Sequence, residues 1–141
     1  MHNFKFIEHT ADIAVDLTAS SIEELFICAA EAWKCAIYDG DKLKSDETKR
    51  IKLNTDSLEE LLVDFLSEIN YFLLTKKWIC TSVSSLSIKH NIEFQLQTEL
   101  NGINLKDELI ELNEEIKAIT YHQLKIEKIE NEFRTRIVFD I

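Results

Sequence analysis

The hydrophobic positions along the chain change their period several times, and each period predicts a different element. Two segments near the N-terminus alternate apolar and polar residues at every second position, which is typical of half-buried strands. They run from Phe4 to His9 and from Ile13 to Thr18, and Thr10-Ala11-Asp12 forms a short polar connection between them. We therefore predict two short strands in this region.

Two later segments place apolar residues at helical spacing. Ser21-Ile22-Glu23-Glu24 has the form of a capping box, and Asp56-Ser57-Leu58-Glu59 supplies a similar N-cap for the second helix. Asp39-Gly40 is expected to end the first helix. The predicted core-facing residues are Leu25, Phe26, Ala29, Trp33, Ala36 and Ile37 in the first helix, and Leu58, Leu61, Leu62, Phe65, Leu66, Ile69, Phe72 and Leu73 in the second.

The remaining apolar pattern has period two and predicts five more strands with two hairpin turns. The turns are expected at His90-Asn91 and near Glu130-Asn131-Glu132. The strands are Thr48 to Leu53, Trp78 to Lys89, Ile92 to Leu100, Ile119 to Ile129 and Phe133 to Ile141. The sequence thus predicts one α+β domain over residues 1–141, a two-layer sandwich with two amphipathic helices packed on a mixed, largely antiparallel β-sheet.

Composition and charge narrow the class of protein. A hydrophobic content of 45% suits one domain with a core, while 16 basic and 26 acidic residues give a net charge of -10. Strong direct nucleic-acid binding is not expected, because it needs clustered cations, and a basic protein partner fits better. The sequence has no membrane-length apolar run and no signal-peptide pattern, so we predict a cytoplasmic protein.

The three cysteines are expected to be reduced core thiols. Cys28 and Cys35 are seven residues apart on a predicted helix, a rise of roughly 10.5 Å, which is beyond the reach of a disulfide. Cys80 is isolated, and no cysteine or histidine pair has zinc-ligand spacing. We therefore predict that these thiols pack in the core and have no metal or redox role.

Candidate chemistry is confined to a few polar positions. Gly-rich phosphate loops and the common hydrolase, metalloprotease and kinase motifs do not occur, so no enzymatic activity is expected. His9-Thr10-Ala11-Asp12 is a polar quartet at a strand end, although taken by itself it is better explained as an ordinary Asx-type turn. Lys117 enters an apolar strand, and by itself it would be an ordinary solvated charge.

The predicted last strand ends at Asp140-Ile141. If the side chain of Ile141 is buried, its α-carboxylate and the Asp140 carboxylate are held close together, and both are ionised at neutral pH. A third nearby carboxylate would complete a cation-binding site. Each pair of like charges about 4 Å apart repels by roughly 4 kcal/mol at an effective dielectric constant near 20, so a cation or a proton must offset the repulsion.

Four segments together resemble the archease family in order and spacing, over essentially the whole chain. They are His9-Thr10-Ala11-Asp12-Ile13, Ser57-Leu58-Glu59-Glu60-Leu61-Leu62-Val63-Asp64-Phe65-Leu66, Lys117-Ala118-Ile119-Thr120-Tyr121-His122 and Asp140-Ile141. The resemblance implies an accessory factor for the GTP-dependent tRNA-splicing RNA ligase, which promotes ligase guanylylation and multiple turnover. The partner implied is therefore that ligase, which carries out the chemistry itself.

The resemblance also implies specific site residues. A divalent metal ion would be bound by Asp12, Asp140 and Ile141, with His9 and Thr10 supporting the ligands from outside, and Lys117 would face the ligase or its nucleotide. Calcium is the expected ion, because oxygen ligands can fill its loose coordination shell, with magnesium or manganese as alternatives.

Two departures from the family pattern bear on partner specificity. Relatives often have a glycine where this chain has Ala19-Ser20, and a basic or histidine-containing loop where it has Leu109-Ile110. The alternative functions are a chaperone-like modulator of another RNA-processing enzyme, such as a tRNA methyltransferase, and a metal-dependent phosphoesterase that uses Asp12 and Asp140. The sequence leaves the oligomeric state open.

Overall fold

A computed structural model describes residues 1–8, 12–38, 40, 43–105, 111–122 and 124–141. These residues form two helices and eight strands. The helices are α1 (Ile22–Ile37) and α2 (Leu58–Lys76). The strands are β1 (His2–Glu8), β2 (Asp12–Ala19), β3 (Glu47–Thr55), β4 (Trp78–His90), β5 (Phe94–Asn104), β6 (Ala118–Thr120), β7 (Glu127–Ile129) and β8 (Glu132–Asp140).

The α+β class predicted from the sequence is confirmed, but the strands divide into two sheets where one was expected. The first has the order β1-β2-β8-β6, with β7 also paired to β8, and the second has the order β3-β5-β4. Every pairing in the described part of the chain is antiparallel, in agreement with the largely antiparallel character that the sequence predicts. Each helix contacts strands of both sheets. The hydrophobic core is formed by residues of both helices and both sheets.

The predicted strand from Ile119 to Ile129 is interrupted. It becomes β6 and β7, which pair with different parts of β8, and the described residues between them form no strand. Leu124 and Ile126 nevertheless pack against the core, and the Ile126 N–H donates to a Glu59 carboxylate oxygen on α2 at 3.0 Å. The period-two pattern therefore reflected loop residues that pack under a helix.

Both helices begin where the sequence predicts. The side chains of Ser21 and Ser57 accept hydrogen bonds from the backbone N–H groups of Glu24 and Glu60, each at 3.1 Å. All six core-facing positions predicted for α1 are buried. The predicted end at Asp39 lies outside the described residues, as do the predicted strand end at His9 and the Leu109-Ile110 departure.

The apolar alternation along β8 is also confirmed. Thr135, Ile137 and Phe139 are buried on the side that faces the helices, and Ile141 packs against the same core. Val138 is an exception, because it lies on the opposite side of the strand and is buried as well. The last residues of β8 are therefore held by side-chain packing as well as by strand pairing.

A buried hydrogen-bond chain joins both helices to the segment that leads into β6. The Trp33 indole N–H on α1 donates to the Asn70 side-chain oxygen on α2 at 3.0 Å. The Asn70 amide group in turn donates to the backbone oxygen of Ile116 at 2.8 Å. Asn70 is 4% exposed, so water does not replace these bonds, and the chain fixes the position of β6 relative to the helices.

The cysteines form no disulfide. Burial raises the pKa of the Cys28 and Cys80 thiols to about 12, so both remain protonated at neutral pH. This agrees with the prediction that they are packing residues. Neither helix in the described part of the chain is long and apolar enough to span a membrane.

Replacement of Asn70 with alanine should destabilise the fold by about 2 to 4 kcal/mol, because it leaves the Trp33 N–H and the Ile116 carbonyl buried without their partner. Equilibrium unfolding in denaturant measures this loss. Ser67→Ala, a half-buried change on the same helix, is the matched control and should stay within about 0.5 kcal/mol of wild type. Equal stability of the two variants would contradict a structural role for the Asn70 bonds.

Candidate functional site

The register between β2 and β8 places Asp12 directly opposite Asp140. Residues that face each other across an antiparallel pair project from the same side of the sheet, with Cβ atoms about 4.5 to 5.5 Å apart. Asp140 is exposed, whereas Asp12 is half-buried and its Oδ1 atom is fully buried. Two of the three residues predicted to bind metal therefore lie next to each other, although 128 positions separate them in the sequence.

The other two described candidates, Ile141 and Lys117, lie at the same end of the sheet. Ile141 follows Asp140 directly, and the Lys117 backbone N–H donates to the Asp140 backbone oxygen at 2.7 Å. Ala118 is the cross-strand partner of Asp140 on the other side of β8. The structure thus brings together three of the four segments that suggested a family. His9 and Thr10 lie outside the described residues.

A groove of about 390 Å³ opens beside these residues. Asp12 and Ile141 line it together with Glu114, and Cys35 on α1 forms part of its wall. Glu114 was not a predicted site residue. It lies in an acidic stretch without clear periodicity, so the sequence carried no signal that it would approach Asp12.

The chemistry of these groups fits a hard divalent cation. Carboxylate oxygens are the preferred ligands of calcium, magnesium and manganese, and Asp12 and Glu114 supply carboxylates to the groove, whose described lining also includes the single thiol of Cys35. Within the described residues, no group of three His, Cys, Asp or Glu side chains is spaced to hold a metal ion. The predicted set has only two such side chains plus a main-chain carboxylate, so it stays a prediction.

Four residues further along β2, on the same face, a second cross-strand pair holds the register. Arg136 donates to both carboxylate oxygens of Asp16, at 2.6 and 3.0 Å. These hydrogen bonds hold the pKa of Asp16 below its ordinary value, and the positive charge adds to the effect. The Asp16–Arg136 pair therefore combines opposite charges, whereas Asp12 and Asp140 are a like-charged pair, which is unfavourable unless something offsets it.

The main chain at Lys117 is fixed on both sides. Its N–H donates to Asp140, and the preceding carbonyl, that of Ile116, accepts from Asn70. The Lys117 side chain is exposed, and no salt bridge that joins described residues includes it. Its ammonium group is thus a solvent-facing charge on a rigid support.

Comparisons with known proteins identify the family to which this α+β chain belongs. Residues 4–141 match the model of the Archease protein family (MTH1598/TM1083), so the chain belongs to the archease family. Protein archease from Methanosarcina mazei is 31% identical over 139 residues, which cover 98% of this chain and 95% of that protein. Protein archease from Pyrococcus abyssi is 31% identical, with complete coverage of both chains.

Solved structures show the same fold. The solution structure of Methanobacterium thermoautotrophicum protein 1598 is similar with a TM-score of 0.83, at 24% identity and 98% coverage of both chains. The crystal structure of a Thermotoga maritima archease, described as a possible chaperone, has a TM-score of 0.61 at 26% identity, with 97% of this chain and 96% of that chain covered. The fold predicted from the sequence is therefore one that relatives share.

Replacement of Asp16 with asparagine should reduce stability in a pH-dependent way. Because the pKa of Asp16 is lowered in the folded state, its carboxylate stabilises the fold fully above its ordinary pKa, near 4, and this contribution is lost as the pH falls through the lower value. The difference in free energy of unfolding between wild type and Asp16→Asn should be constant from about pH 7 to 5 and shrink below about pH 4.

Denaturant unfolding at a series of pH values measures this difference. Glu132→Gln is the control, because Glu132 and Arg134 form an exposed pair at the start of the same strand. Its effect should be small at every pH. A difference for Asp16→Asn that does not change between pH 6 and pH 3 would contradict the assigned role of Arg136.

Proposed function

We propose that this protein activates the GTP-dependent tRNA-splicing RNA ligase, promoting guanylylation of the ligase and allowing it many turnovers, and that it has no catalytic activity of its own. The main support is the register that sets Asp12 opposite Asp140. Ile141 follows Asp140 in the chain, and the Lys117 backbone is hydrogen-bonded to Asp140. These are the residues that the family resemblance carries over to this chain. The proposed site of action is cytoplasmic.

In this proposal Asp12, Asp140 and the α-carboxylate of Ile141 hold a divalent metal ion, most suitably calcium, with magnesium or manganese as alternatives. The ion would supply the positive charge that offsets repulsion between carboxylates held side by side. Two such charges about 4 Å apart repel by roughly 4 kcal/mol at an effective dielectric constant near 20. In the neighbouring Asp16–Arg136 pair, a guanidinium group supplies such a positive charge directly.

Lys117 supplies a positive charge at the proposed ligase-facing end. Its backbone is held by Asp140 and, through Ile116, by Asn70, so the ammonium group projects from a fixed point. A fixed cation suits an anionic partner group, such as a carboxylate of the ligase or a phosphate of its nucleotide. Lys117 would then position the partner while the ligase performs the transfer.

A second candidate function is a chaperone-like modulator of another RNA-processing enzyme, such as a tRNA methyltransferase. One observation favours it, namely that the Thermotoga maritima relative is described as a possible chaperone. Affinity capture of the tagged protein from native lysate separates the two. Recovery of a methyltransferase without the ligase would favour this second function, and recovery of the ligase would favour the first.

Asp12→Asn should weaken divalent-metal binding by about tenfold or more and abolish multiple-turnover ligation, because one of the proposed ligands loses its charge. Calcium titration by calorimetry and ligation with a tenfold molar excess of RNA over ligase measure the two effects. Glu132→Gln, which removes a carboxylate at the opposite end of β8, should behave as wild type. Wild-type turnover by Asp12→Asn would rule out the metal site.

A residue appended after Ile141 tests the third proposed ligand separately, because it replaces the α-carboxylate with a peptide bond. It should reduce metal affinity and turnover in the same way, while the same extension placed before Met1 should have no effect. Metal-dependent phosphoesterase activity of the isolated protein, assayed with a generic phosphodiester, would instead favour an enzyme.

Lys117→Gln should leave metal affinity unchanged and lower the rate of ligase guanylylation by about tenfold or more, because it removes the fixed cation without touching the carboxylates. Formation of the ligase–guanylate adduct from labelled GTP measures this step. Lys52→Gln, an exposed change on the second sheet, is the control. Guanylylation at the wild-type rate would remove Lys117 from the site.

A further inference from the structure

One stripe along α2 is turned away from the core and changes character along its length. Its members recur at helical spacing, so they lie within one narrow face. They are Glu60, Asp64, Ser67, Tyr71 and Leu74. The N-terminal half of the stripe is acidic, whereas the C-terminal half carries two large apolar side chains, Tyr71 at 51% exposure and Leu74 at 42%.

Strand β6 and the residues beside it lie across from this stripe. Ser67, Tyr71 and Leu74 line a groove of about 250 Å³ together with Lys117 and Ala118. Further along, Tyr121 is 56% exposed. Burial raises the pKa of Tyr121, and the charges of Asp64 and Glu60 raise it further, which places the tyrosine beside the acidic half of the stripe.

The surface around the groove therefore has two distinct parts. Lys117 lines the groove with Tyr71 and Leu74. Glu60 and Asp64 precede the groove residues on the same stripe of α2, and their charges act on Tyr121, which follows β6. Tyrosine is one of the residue types enriched in protein interfaces, and Leu74 extends the exposed apolar surface beside Tyr71. The other large apolar side chains that are exposed in the described residues include Ile92, which lies in the turn between β4 and β5, away from this groove.

The backbone offers a second means of attachment. β6 is the last strand of its sheet on this side in the part of the chain that the structure describes. An extended segment of another protein can add to such an edge by main-chain hydrogen bonds, while neighbouring grooves accept its alternate side chains. With only three residues, β6 would provide a short contact, so the groove must supply much of the specificity.

We infer that the groove between α2 and β6 is a docking site for an extended segment of the partner ligase. The segment presents an acidic side chain to Lys117, an apolar side chain to Tyr71 and Leu74, and a basic side chain to Glu60 and Asp64. This charge order is the complement of the groove, and it fixes the direction in which the segment runs. The inference rests on the proposed function, and it identifies which surface meets the ligase.

The test begins with the affinity of the full-length protein for the cognate ligase, measured by biolayer interferometry. Leu74→Glu and Asp64→Lys should each weaken binding by about tenfold or more, because they place the wrong charge in the groove. Ile92→Glu and Glu132→Lys are the matched controls elsewhere on the surface and should change the affinity by less than about twofold. All four positions are exposed, and thermal unfolding confirms that each variant is folded.

Photocrosslinking identifies the occupant. With p-benzoylphenylalanine in place of Tyr71, illumination should link the protein to one ligase peptide with acidic and basic residues on either side of an apolar one, and the same probe at Ile92 should not. Lys117→Glu combined with an acidic-to-lysine change in that peptide should restore binding. Unchanged affinity of Leu74→Glu, or crosslinking of position 71 to RNA, would overturn the docking site.

The outcomes distinguish this inference from the proposed function. If the wild-type protein activates the ligase and the groove variants bind as tightly as wild type, only the docking site is wrong. If the wild-type protein neither binds nor activates the ligase, the proposed function itself fails.

Discussion

The hydrogen-bond chain from Trp33 through Asn70 to Ile116 is the constraint on which the position of β6, and of Lys117 beside it, depends. It connects the two helices to each other and to the segment that enters β6. A buried amide with both partners satisfied is rigid, because any alternative arrangement leaves polar groups unpaired. The backbone N–H of Asn113 also donates to the last residue of α1, Ile37, so the same segment is held at a second point. Strand β6 is therefore short but firmly placed.

The pairing of β2 with β8 contains one oppositely charged residue pair and one like-charged pair. Asp16 and Arg136 attract each other and hold β2 and β8 in register, and that register brings Asp12 and Asp140 face to face. A one-residue slip would move every side chain of β8 to the other side of the sheet. The Asp16–Arg136 pair thus maintains the register on which the Asp12–Asp140 pairing depends.

The sequence predicted the helices well, because a serine cap and an apolar stripe are local signals that tertiary structure rarely overrides. It predicted the strands but failed to divide them into two sheets, since that division depends on pairings between distant segments. Leu124 and Ile126 continued the alternation of a strand through a loop, for which periodicity has no separate signal. Helix contacts, not pairing, bury these two side chains.

The candidate site was predictable only in part. Asp12, Asp140 and Lys117 were recognisable one by one as polar positions in or beside predicted strands, but only the family resemblance grouped them. Nothing in their spacing indicated that one sheet would unite them. Asn70 did give a signal in the sequence, since it occupies an apolar-face position four residues after Leu66 and three before Leu73. A polar residue at a core position is a sign of a buried hydrogen bond. Glu114 gave no such signal in the sequence, because the segment around it has no regular period.

The position of β8 in the middle of its sheet has a consequence for how the protein is made. Arg136 bonds to Asp16 across 120 residues of sequence, so β2 is synthesised long before its central partner. At about 5 to 20 residues per second, β2 waits on the order of ten seconds with one hydrogen-bonding edge unpaired. Newly made chains crowded on one messenger RNA would then present matching open edges to one another. The topology therefore makes assembly of the first sheet a late event, in which the risk of mispairing ends only when β8 leaves the ribosome.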